Sequence, residues 1–285
     1  MPSSGSFHII SSLRYDPLLP EALNQNDQQS TYPDPQNNPQ YYLLPYHRDR
    51  LISAAKRFQW PTALAFLEQR DLADLAHQLD FSIPDKTKPW RLRILLDRDG
   101  DLKVEVNPAV PVPALYLLAP SPSVLRRRAG MDSSVWRVYV DMQPISPSAF
   151  TTHKTTFRDD YNAARLRVGI LSPAELAEVL VMNAHGEVME GSITTPYFRR
   201  RSRIHSCEAA DSAEWITPPL SSGGNAGTTR RLALTQGFCN EQVVHTSDLV
   251  DGEECWLSNG VRGFMPGVIL KHCPDNKSDN NEKHH

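Results

Sequence analysis

The sequence predicts a mixed α/β (α+β) chain of two domains: a small N-terminal α/β domain and a larger, mostly β C-terminal domain with helices. Its 285 residues exceed what one small core needs. The first part combines two helical patterns with a hairpin signal, whereas the second half contains mostly strand patterns separated by turn residues. We expect the small domain at residues 1–120, a linker at 121–132 and the large domain at 133–273.

Composition and charge exclude several classes of protein. Hydrophobic residues make up 40% of the chain and charged residues 22%, as in an ordinary soluble globular protein. The formal net charge of -3 gives no reason to expect nucleic acid or an acidic membrane as a partner. No apolar run is long enough to span a bilayer, and the first residues do not have the pattern of a secretory signal. The four cysteines form no C-x-x-C pair, so we expect no metal site, reduced thiols and a cytoplasmic location.

Apolar periodicity and turn residues predict the elements of the N-terminal domain. The predicted elements are helices at 46–58 and 62–79 and strands at 91–96, 102–106 and 114–119. The sequence D-R-D-G-D between the first two strands is a hairpin signal. Segment 24–40 is rich in Gln, Asn, Asp and Pro and has almost nothing to bury, which favours a mobile loop.

The second half follows the same logic with mostly strand patterns. The predicted elements are strands at 135–141, 178–182, 193–198, 242–245, 254–257 and 264–270, a strand from 188 onward, and a helix at 229–238. Residues 202–213 form a polar segment that resembles an insertion. The polar tail at 274–285 is predicted to be disordered.

Three separate features together indicate a site for pyridoxal phosphate (PLP). Lys154 lies in the run T-H-K-T-T-F-R, and a lysine amine can form a Schiff base with the PLP aldehyde. Glu190 lies between an apolar residue and a glycine, and a carboxylate paired with the pyridine nitrogen keeps that nitrogen protonated. Thr228 and Thr229 follow a glycine-rich loop at a predicted helix start, where N–H groups and hydroxyls bind phosphate. Each feature alone has an ordinary explanation, respectively a surface lysine, a solvated hairpin glutamate and a flexible loop.

Further polar residues are candidates for the same site. Arg50 on the first helix is either a solvated arginine or a phosphate ligand, because a guanidinium matches phosphate geometry. Ser258 and Asn259 lie in a polar turn that is either a plain hairpin or a cover for the phosphate. Arg262 and Arg158 are candidates for binding a substrate carboxylate or for a structural role. The glycine-rich loop matches neither the ATP P-loop nor the dinucleotide fingerprint.

These motifs resemble those of the fold-type IV PLP enzymes, which are similar to class IV aminotransferases. The matching stretches are H-R-D-R-L at 47–51, H-K-T-T-F-R at 153–158, V-M-E-G-S-I-T-T at 188–195 and G-T-T-R at 227–230. The resemblance is strongest to fungal aminodeoxychorismate lyases, through S-S-L-R-Y-D-P at 11–17, W-I-T-P-P-L-S-S-G-G at 215–224 and S-N-G-V-R-G-F-M-P at 258–266. It implies a C-terminal pseudo-barrel and a homodimer.

The resemblance also implies a function. Members of this family bind PLP, with Lys154 matching the Schiff-base lysine, Glu190 the pyridine partner and Arg50, Thr228 and Thr229 the phosphate ligands. The expected reaction is that of a lyase, which converts the small molecule 4-amino-4-deoxychorismate to 4-aminobenzoate and pyruvate for folate synthesis, with Lys154 as general base. Two alternatives remain: an aminotransferase for branched-chain amino acids, D-amino acids or amines, and a catalytically inactive PLP-binding homologue.

Overall fold

The structure is a computed structural model, and it describes residues 7–25, 29–128, 134–172, 174–200 and 214–271. The predicted insertion at 202–213 and the predicted tail at 274–285 lie outside these residues. The strands form two sheets, one of three and one of eight strands, with helices packed beside them. This mixed architecture confirms the predicted fold class. The division of the chain at 121–132 stays a prediction.

The smaller sheet is antiparallel, and the chain enters it at its edge. Its strands in spatial order are β1 (Ile9–Tyr15), β2 (Trp90–Leu96) and β3 (Leu102–Pro108), and the helices of this part are α1 (Leu19–Asn24), α2 (Leu44–Arg57), α3 (Pro61–Glu68) and α4 (Leu72–Asp80). One apolar core joins the sheet to α2, α3 and α4, with Leu13, Leu51 and Leu92 fully buried. Strands β2 and β3 pair directly, which confirms the predicted hairpin. The first predicted helix, at 46–58, begins two residues earlier than expected, at Leu44.

The larger sheet mixes parallel and antiparallel pairs. Its strands are β4 (Trp136–Val140), β5 (Ala177–Met182), β6 (Val188–Gly191), β7 (Thr195–Arg199), β8 (Trp215–Thr217), β9 (Cys239–Glu241), β10 (Glu254–Asn259) and β11 (Gly263–Leu270). The spatial order is β6, β5, β4, β11, β10, β7, β8, β9. The helices of this part are α5 (Pro122–Arg128), α6 (Ala149–Thr152), α7 (Asp159–Arg167) and α8 (Thr228–Thr235). The order places β6 and β10 apart in the sheet, although both carry predicted site residues.

The two sheets are tied together beside the predicted lysine. The N–H of Ile10 on β1 donates to the carbonyl of Lys154 at 2.9 Å, and Ile9 forms an isolated bridge with Thr155. Arg14, fully buried at the end of β1, pairs with Asp16 at 2.7 Å and donates to the carbonyls of Val110 and Val261. Strand β1 thus fixes the position of the segment that carries Lys154 and of the turn at Val261, between Asn259 and Arg262.

One predicted helix is wrong in its continuity. The pattern at 62–79 is divided into α3 and α4, because Asp71 caps the second helix. Its side chain accepts from the N–H of Asp74 at 2.8 Å, and the side chain of Asp74 accepts from the N–H of Asp71 at 3.1 Å. This reciprocal cap satisfies two N–H groups that a continuous helix would have used internally.

Two predicted strands are also wrong. Residues Ala114–Leu117 form a 3-10 turn, which begins directly after Pro113. The proline lacks an N–H for a strand ladder and fixes its own φ, so the apolar run is buried as a turn. Near 242–245 the structure has only an isolated bridge, between His245 and Glu187, and the strand lies earlier at Cys239–Glu241, parallel to β8.

Two segments expected to be irregular contain ordered structure. Within 24–40, Tyr32 is buried, and its hydroxyl accepts a 3.0 Å hydrogen bond from the N–H of Leu43. That segment therefore contributes an aromatic ring to the core, contrary to the expectation that it buries almost nothing. Within the predicted linker, α5 forms a helix with Val124 fully buried. None of the helices in the described part of the chain is long and apolar enough to cross a membrane.

The close packing at Gly263 gives a test of the fold. Gly263 has φ +70°, and a Cβ there would lie 2.7 Å from the carbonyl carbon of Tyr116 and 2.8 Å from the Cα of Leu117. We predict that Gly263→Ala lowers the free energy of unfolding by about 3 kcal/mol or more, through backbone strain and overpacking. The control Gly169→Ala has φ +75° with nothing within 4 Å, and should lose only about 1 kcal/mol. Urea unfolding measures both, and equal losses would contradict the packing argument.

Candidate active site

One cavity brings most of the predicted site residues together. It is lined by Arg50 from α2, Lys154 and Arg158 from the segment between α6 and α7, Glu190 from β6, Thr228 and Thr229 from α8, and Ser258 and Asn259 from β10. Sequence separation between these residues reaches from Arg50 to Asn259, so only the tertiary fold can assemble them. Arg262 does not line this cavity.

Lys154 occupies an electropositive and desolvated position. It is half-buried and follows the short helix α6. Burial inside the cavity lowers the pKa of Lys154 well below its usual range, and the cations Arg50 and Arg158 lower it further, while Glu190 opposes them. The lowered pKa increases the fraction of neutral amine near pH 7, and the neutral amine is the form that acts as nucleophile or base.

Glu190 is a carboxylate held by hydrogen bonds in the same cavity. Burial raises its pKa to about 7, against the lowering effects of Tyr161, Arg158 and the backbone N–H of Asn225. The Tyr161 hydroxyl donates to Glu190 Oε1 at 2.5 Å. At neutral pH this carboxyl group is therefore near its titration midpoint, and small changes in its surroundings change its charge.

The part of the cavity around Arg50 is suited to an anion. Arg50 donates through Nη2 to Ser11 Oγ at 2.6 Å, and burial lowers its pKa to about 10. Within the described part of the chain, the buried Nε of Arg50 has no hydrogen-bond partner. His47, fully buried, lies behind it, with Nδ1 2.7 Å from Ser11 Oγ and Nε2 3.4 Å from Thr228 Oγ1. His47 therefore helps to fix the Ser11 hydroxyl to which Arg50 donates.

The start of α8 adds hydroxyls and N–H groups to this region. Thr228 and Thr229 are buried at the first two positions of the helix, and the preceding residue, Gly227, has no side chain that could cap them. Thr229 Oγ1 accepts from Ser258 Oγ at 2.7 Å, which links α8 to β10. Free N–H groups at a helix start and a guanidinium favour a phosphate.

Glycines let the backbone approach the cavity closely. A Cβ at Gly227 would lie 2.8 Å from Thr195 Oγ1, and one at Gly260 would lie 2.9 Å from His47 Cε1. A Cβ at Gly224 would lie 3.3 Å from the Cβ of Glu190.

Taken together, the residues of the cavity fit PLP in their chemistry: a lysine amine, a carboxylate for the pyridine nitrogen and a cationic, N–H-rich region for the phosphate.

The two arginines predicted to bind substrate differ in position. Arg158 lines the cavity, donates to the carbonyl of Ser192 and lies over the ring of Tyr161, with Cζ 4.6 Å from the ring centroid. Arg262 instead lies over the ring of Trp136, with Cζ 4.8 Å from its centroid. Burial lowers the pKa of Arg262, and the neighbouring cations Arg91 and Arg165 lower it further.

Sequence reasoning assigned no role to several residues that build the site. Glu178 on β5 is fully buried and accepts hydrogen bonds from the backbone N–H groups of Ser192 and Ile193, both at 3.0 Å. Tyr161 and Asn225 hold Glu190. A buried carboxylate in a strand pattern is a weak signal for Glu178, whereas Asn225 acts through its backbone and has no signal in its side chain.

Metal-binding chemistry finds no support in the described residues. No group of three or more His, Cys, Asp or Glu side chains lies close enough together there to hold a metal ion. Cys239 and Cys255 are buried and free, and burial raises the pKa of each thiol to about 12. Neither thiol is therefore suited to act as a ligand or nucleophile.

Comparison with known families identifies the chain. A sequence model of the family described as Amino-transferase class IV matches residues 35–269. The chain belongs to this family. The match includes every predicted site residue from Arg50 to Arg262, and it confirms the expected kind of enzyme at the level of the family.

Two curated fungal proteins are similar in sequence. Aminodeoxychorismate lyase of Saccharomyces cerevisiae is 31% identical over 198 residues, which cover 63% of this chain and 51% of that protein. The match thus spans about half the length of that relative. A Schizosaccharomyces pombe protein provisionally named aminodeoxychorismate lyase is 27% identical over 238 residues, which cover 80% of this chain and 84% of that protein.

Solved structures share the fold. A Mesorhizobium loti protein provisionally named an amino-acid aminotransferase superposes with a TM-score of 0.64 at 21% identity, covering 93% of this chain and 100% of that one. A hypothetical aminotransferase from Mycobacterium tuberculosis in its PLP-bound form superposes with a TM-score of 0.53 at 16% identity, covering 95% of this chain and 84% of that one. At these identities the likeness confirms the fold.

The raised pKa of Glu190 predicts a stability effect in the PLP-free protein. Between its unfolded pKa and about 7, Glu190 stays protonated in the folded state but loses its proton in the unfolded state. Its stabilising contribution is therefore present at low pH and is lost as pH rises through 7. We predict that the free energy of unfolding of Glu190→Gln, relative to that of the unsubstituted protein, rises by roughly 2 kcal/mol as the pH goes from 5 to 8.

Urea unfolding at several pH values measures this difference. Glu187→Gln is the control, because hydrogen bonding lowers the pKa of Glu187, whose stabilising effect is therefore present at high pH and is lost as pH falls. Because the folded and unfolded pKa of Glu187 both lie below pH 5, the stability of Glu187→Gln relative to the unsubstituted protein should stay constant from pH 5 to pH 8, whereas that of Glu190→Gln should rise. A difference between Glu190→Gln and the unsubstituted protein that stays constant from pH 5 to pH 8 would contradict the assignment.

Proposed function

We propose that the protein is a PLP-dependent lyase that converts 4-amino-4-deoxychorismate to 4-aminobenzoate and pyruvate. The observation that carries the proposal is that one cavity contains a lysine of lowered pKa, a buried carboxylate and an anion-binding region. Membership of the class IV aminotransferase family supports PLP as the cofactor, and the names of the two fungal relatives support the lyase reaction.

PLP supplies an aldehyde that bonds to an amine and a pyridinium ring that withdraws electrons from the carbon bearing that amine. Each part of it has a partner among the residues of the cavity. Lys154 provides the amine, and Glu190 keeps the pyridine nitrogen protonated. Arg50, Thr228 and Thr229 bind the phosphate, with Ser258 fixing the hydroxyl of Thr229 at 2.7 Å and the turn at Asn259 beside it.

Lys154 also moves the proton in this proposal. Its neutral Nζ would remove the proton from the substrate ring carbon that bears the amine. The lowered pKa of Lys154 suits it to act as general base near neutral pH. Loss of the neighbouring enolpyruvyl group then makes the ring aromatic, which supplies much of the driving force.

The charges around the cavity suit a substrate with two carboxylates. Arg158 lines the cavity, and Arg91 on β2 is close enough to contribute to the lowered pKa of both Lys154 and Arg262. Glu190 is the acidic residue that lines the cavity in the described part of the chain. This excess of cations favours binding of an anion and raises its rate of association.

An aminotransferase is the second candidate, and one observation favours it. The Mesorhizobium loti structure, which superposes over 93% of this chain, is named for that activity. The two reactions differ in their requirements, because an aminotransferase needs an amino donor and a keto-acid acceptor.

A homodimer is also implied by the resemblance, and the mass of the purified protein in solution tests it.

The reaction is tested directly with PLP-loaded protein and enzymatically generated aminodeoxychorismate. We expect 4-aminobenzoate and pyruvate to appear in equal amounts without a keto acid, because the elimination releases one of each per substrate. Both products are followed together by chromatography and a coupled pyruvate assay. If the protein binds PLP but forms no 4-aminobenzoate, while converting a keto acid in the presence of an amino donor, the aminotransferase is the correct assignment.

Replacement of Lys154 tests its two roles. We predict that Lys154→Ala loses covalently bound PLP, and that turnover falls by at least about 10³-fold, because nucleophile and general base are removed together. The change is measured by borohydride trapping of PLP and by initial rates. Lys103→Ala, at an exposed position on β3, is the control and should retain full activity. Substantial turnover by Lys154→Ala would exclude the mechanism.

A further inference from the structure

Tyr161 holds the carboxylate of Glu190 from the side of helix α7. Its ring is buried among the apolar residues that join α7 to β5, and its hydroxyl donates to Glu190 Oε1 at 2.5 Å. Arg158 lies over the same ring, with Cζ 4.6 Å from the centroid, and donates to the carbonyl of Ser192. The apolar packing of the ring, Arg158 above it and the hydrogen bond to Glu190 together leave the hydroxyl little freedom to leave the carboxylate.

The direction of this hydrogen bond has a chemical consequence. An ionised carboxylate only accepts hydrogen bonds, so the phenol donates and stabilises the charged form of Glu190. Burial alone raises the pKa of Glu190, and the Tyr161 hydroxyl is the largest influence that lowers it again. Burial and Glu190 both raise the pKa of Tyr161 itself, so the phenol keeps its proton and remains a donor.

We propose that Tyr161 is a positioning residue that keeps Glu190 ionised and its remaining acceptor sites directed at the pyridine nitrogen of PLP. A carboxylate offers about four acceptor positions, so bonds from Tyr161 and from the N–H of Asn225 leave room for a further donor. With the donor bond from Tyr161 in place, the shared proton stays on the ring nitrogen. Without it, the proton moves toward the carboxylate, and the ring becomes a weaker electron sink. This inference rests on the proposed use of PLP.

The affinity for the cofactor tests the proposal without reference to activity. PLP-free protein is titrated with PLP, and with an analogue in which carbon replaces the ring nitrogen, from pH 6 to pH 9. For Tyr161→Phe we expect the affinity for PLP relative to the analogue to fall about tenfold near pH 7 and to recover at higher pH. The analogue corrects for effects on Lys154 and on the phosphate region, because it bonds there in the same way but cannot accept a proton.

Tyr41→Phe is the matched control. The Tyr41 hydroxyl also donates to a carboxylate at 2.5 Å, that of Asp80, and the pair belongs to the N-terminal part of the chain. Loss of this bond should cost similar stability without changing the relative affinity for PLP. If Tyr161→Phe weakens PLP and the analogue equally, or leaves both unchanged, the proposal is overturned.

A second measurement reports the proton itself. With ¹⁵N-labelled PLP, the nitrogen chemical shift in Tyr161→Phe should move toward that of an unprotonated pyridine, while Tyr41→Phe should match the unsubstituted protein. An unchanged shift in Tyr161→Phe would also overturn the proposal. If the unsubstituted protein does not bind PLP at all, the proposed function fails first, and this outcome is distinct from a failure of the role of Tyr161.

Discussion

A fully buried carboxylate, that of Glu178, organises the turn on which the site is built. Besides the N–H groups of Ser192 and Ile193, it accepts from the hydroxyls of Ser192 at 2.5 Å and Thr194 at 2.7 Å. Arg165 completes this environment, with Nη1 3.8 Å from Glu178 Oε1 and 3.0 Å from Ser192 Oγ. A charge can be buried only with such partners, so the turn must adopt the shape that satisfies it. Because Glu190 lies two residues before Ser192, its position depends on the same constraint.

The site depends equally on the joining of the two sheets. The three-stranded sheet and its helices contribute Arg50 and the Ser11 hydroxyl that orients it, whereas Glu190 and Thr228 come from the second half of the chain. The bond from the N–H of Ile10 to the carbonyl of Lys154 crosses this junction. The second half therefore supplies the lysine and the carboxylate, but the guanidinium of the anion-binding region comes from the first.

The sequence predicted the residues whose chemistry is carried by their own side chains. Lys154, Glu190 and Thr228 line one cavity, and their amine, carboxylate and hydroxyl groups are recognisable in order along the chain; their roles stay predictions. Asn225 was missed because its contribution is a backbone N–H, and Glu178 because its partners lie 14 to 16 residues away across a strand pair. Among the elements, the break between α3 and α4 was missed although Asp71 and Asp74 have the spacing of a cap. Apolar periodicity continues through the break and hides this local signal.

The charged groups of the cavity destabilise the free protein, but they are suited to bind a charged ligand. Burial lowers the pKa of Arg50 and Lys154 and raises that of Glu190, and each of these changes means that the charged group costs free energy where it stands. A phosphate beside Arg50 would satisfy the buried Nε and offset the repulsion between Arg50 and Lys154. A protonated ring nitrogen beside Glu190 would do the same for the carboxylate. Binding of such a ligand would thus recover the free energy lost in arranging these groups, which is the compromise between stability and function expected of a preorganised site.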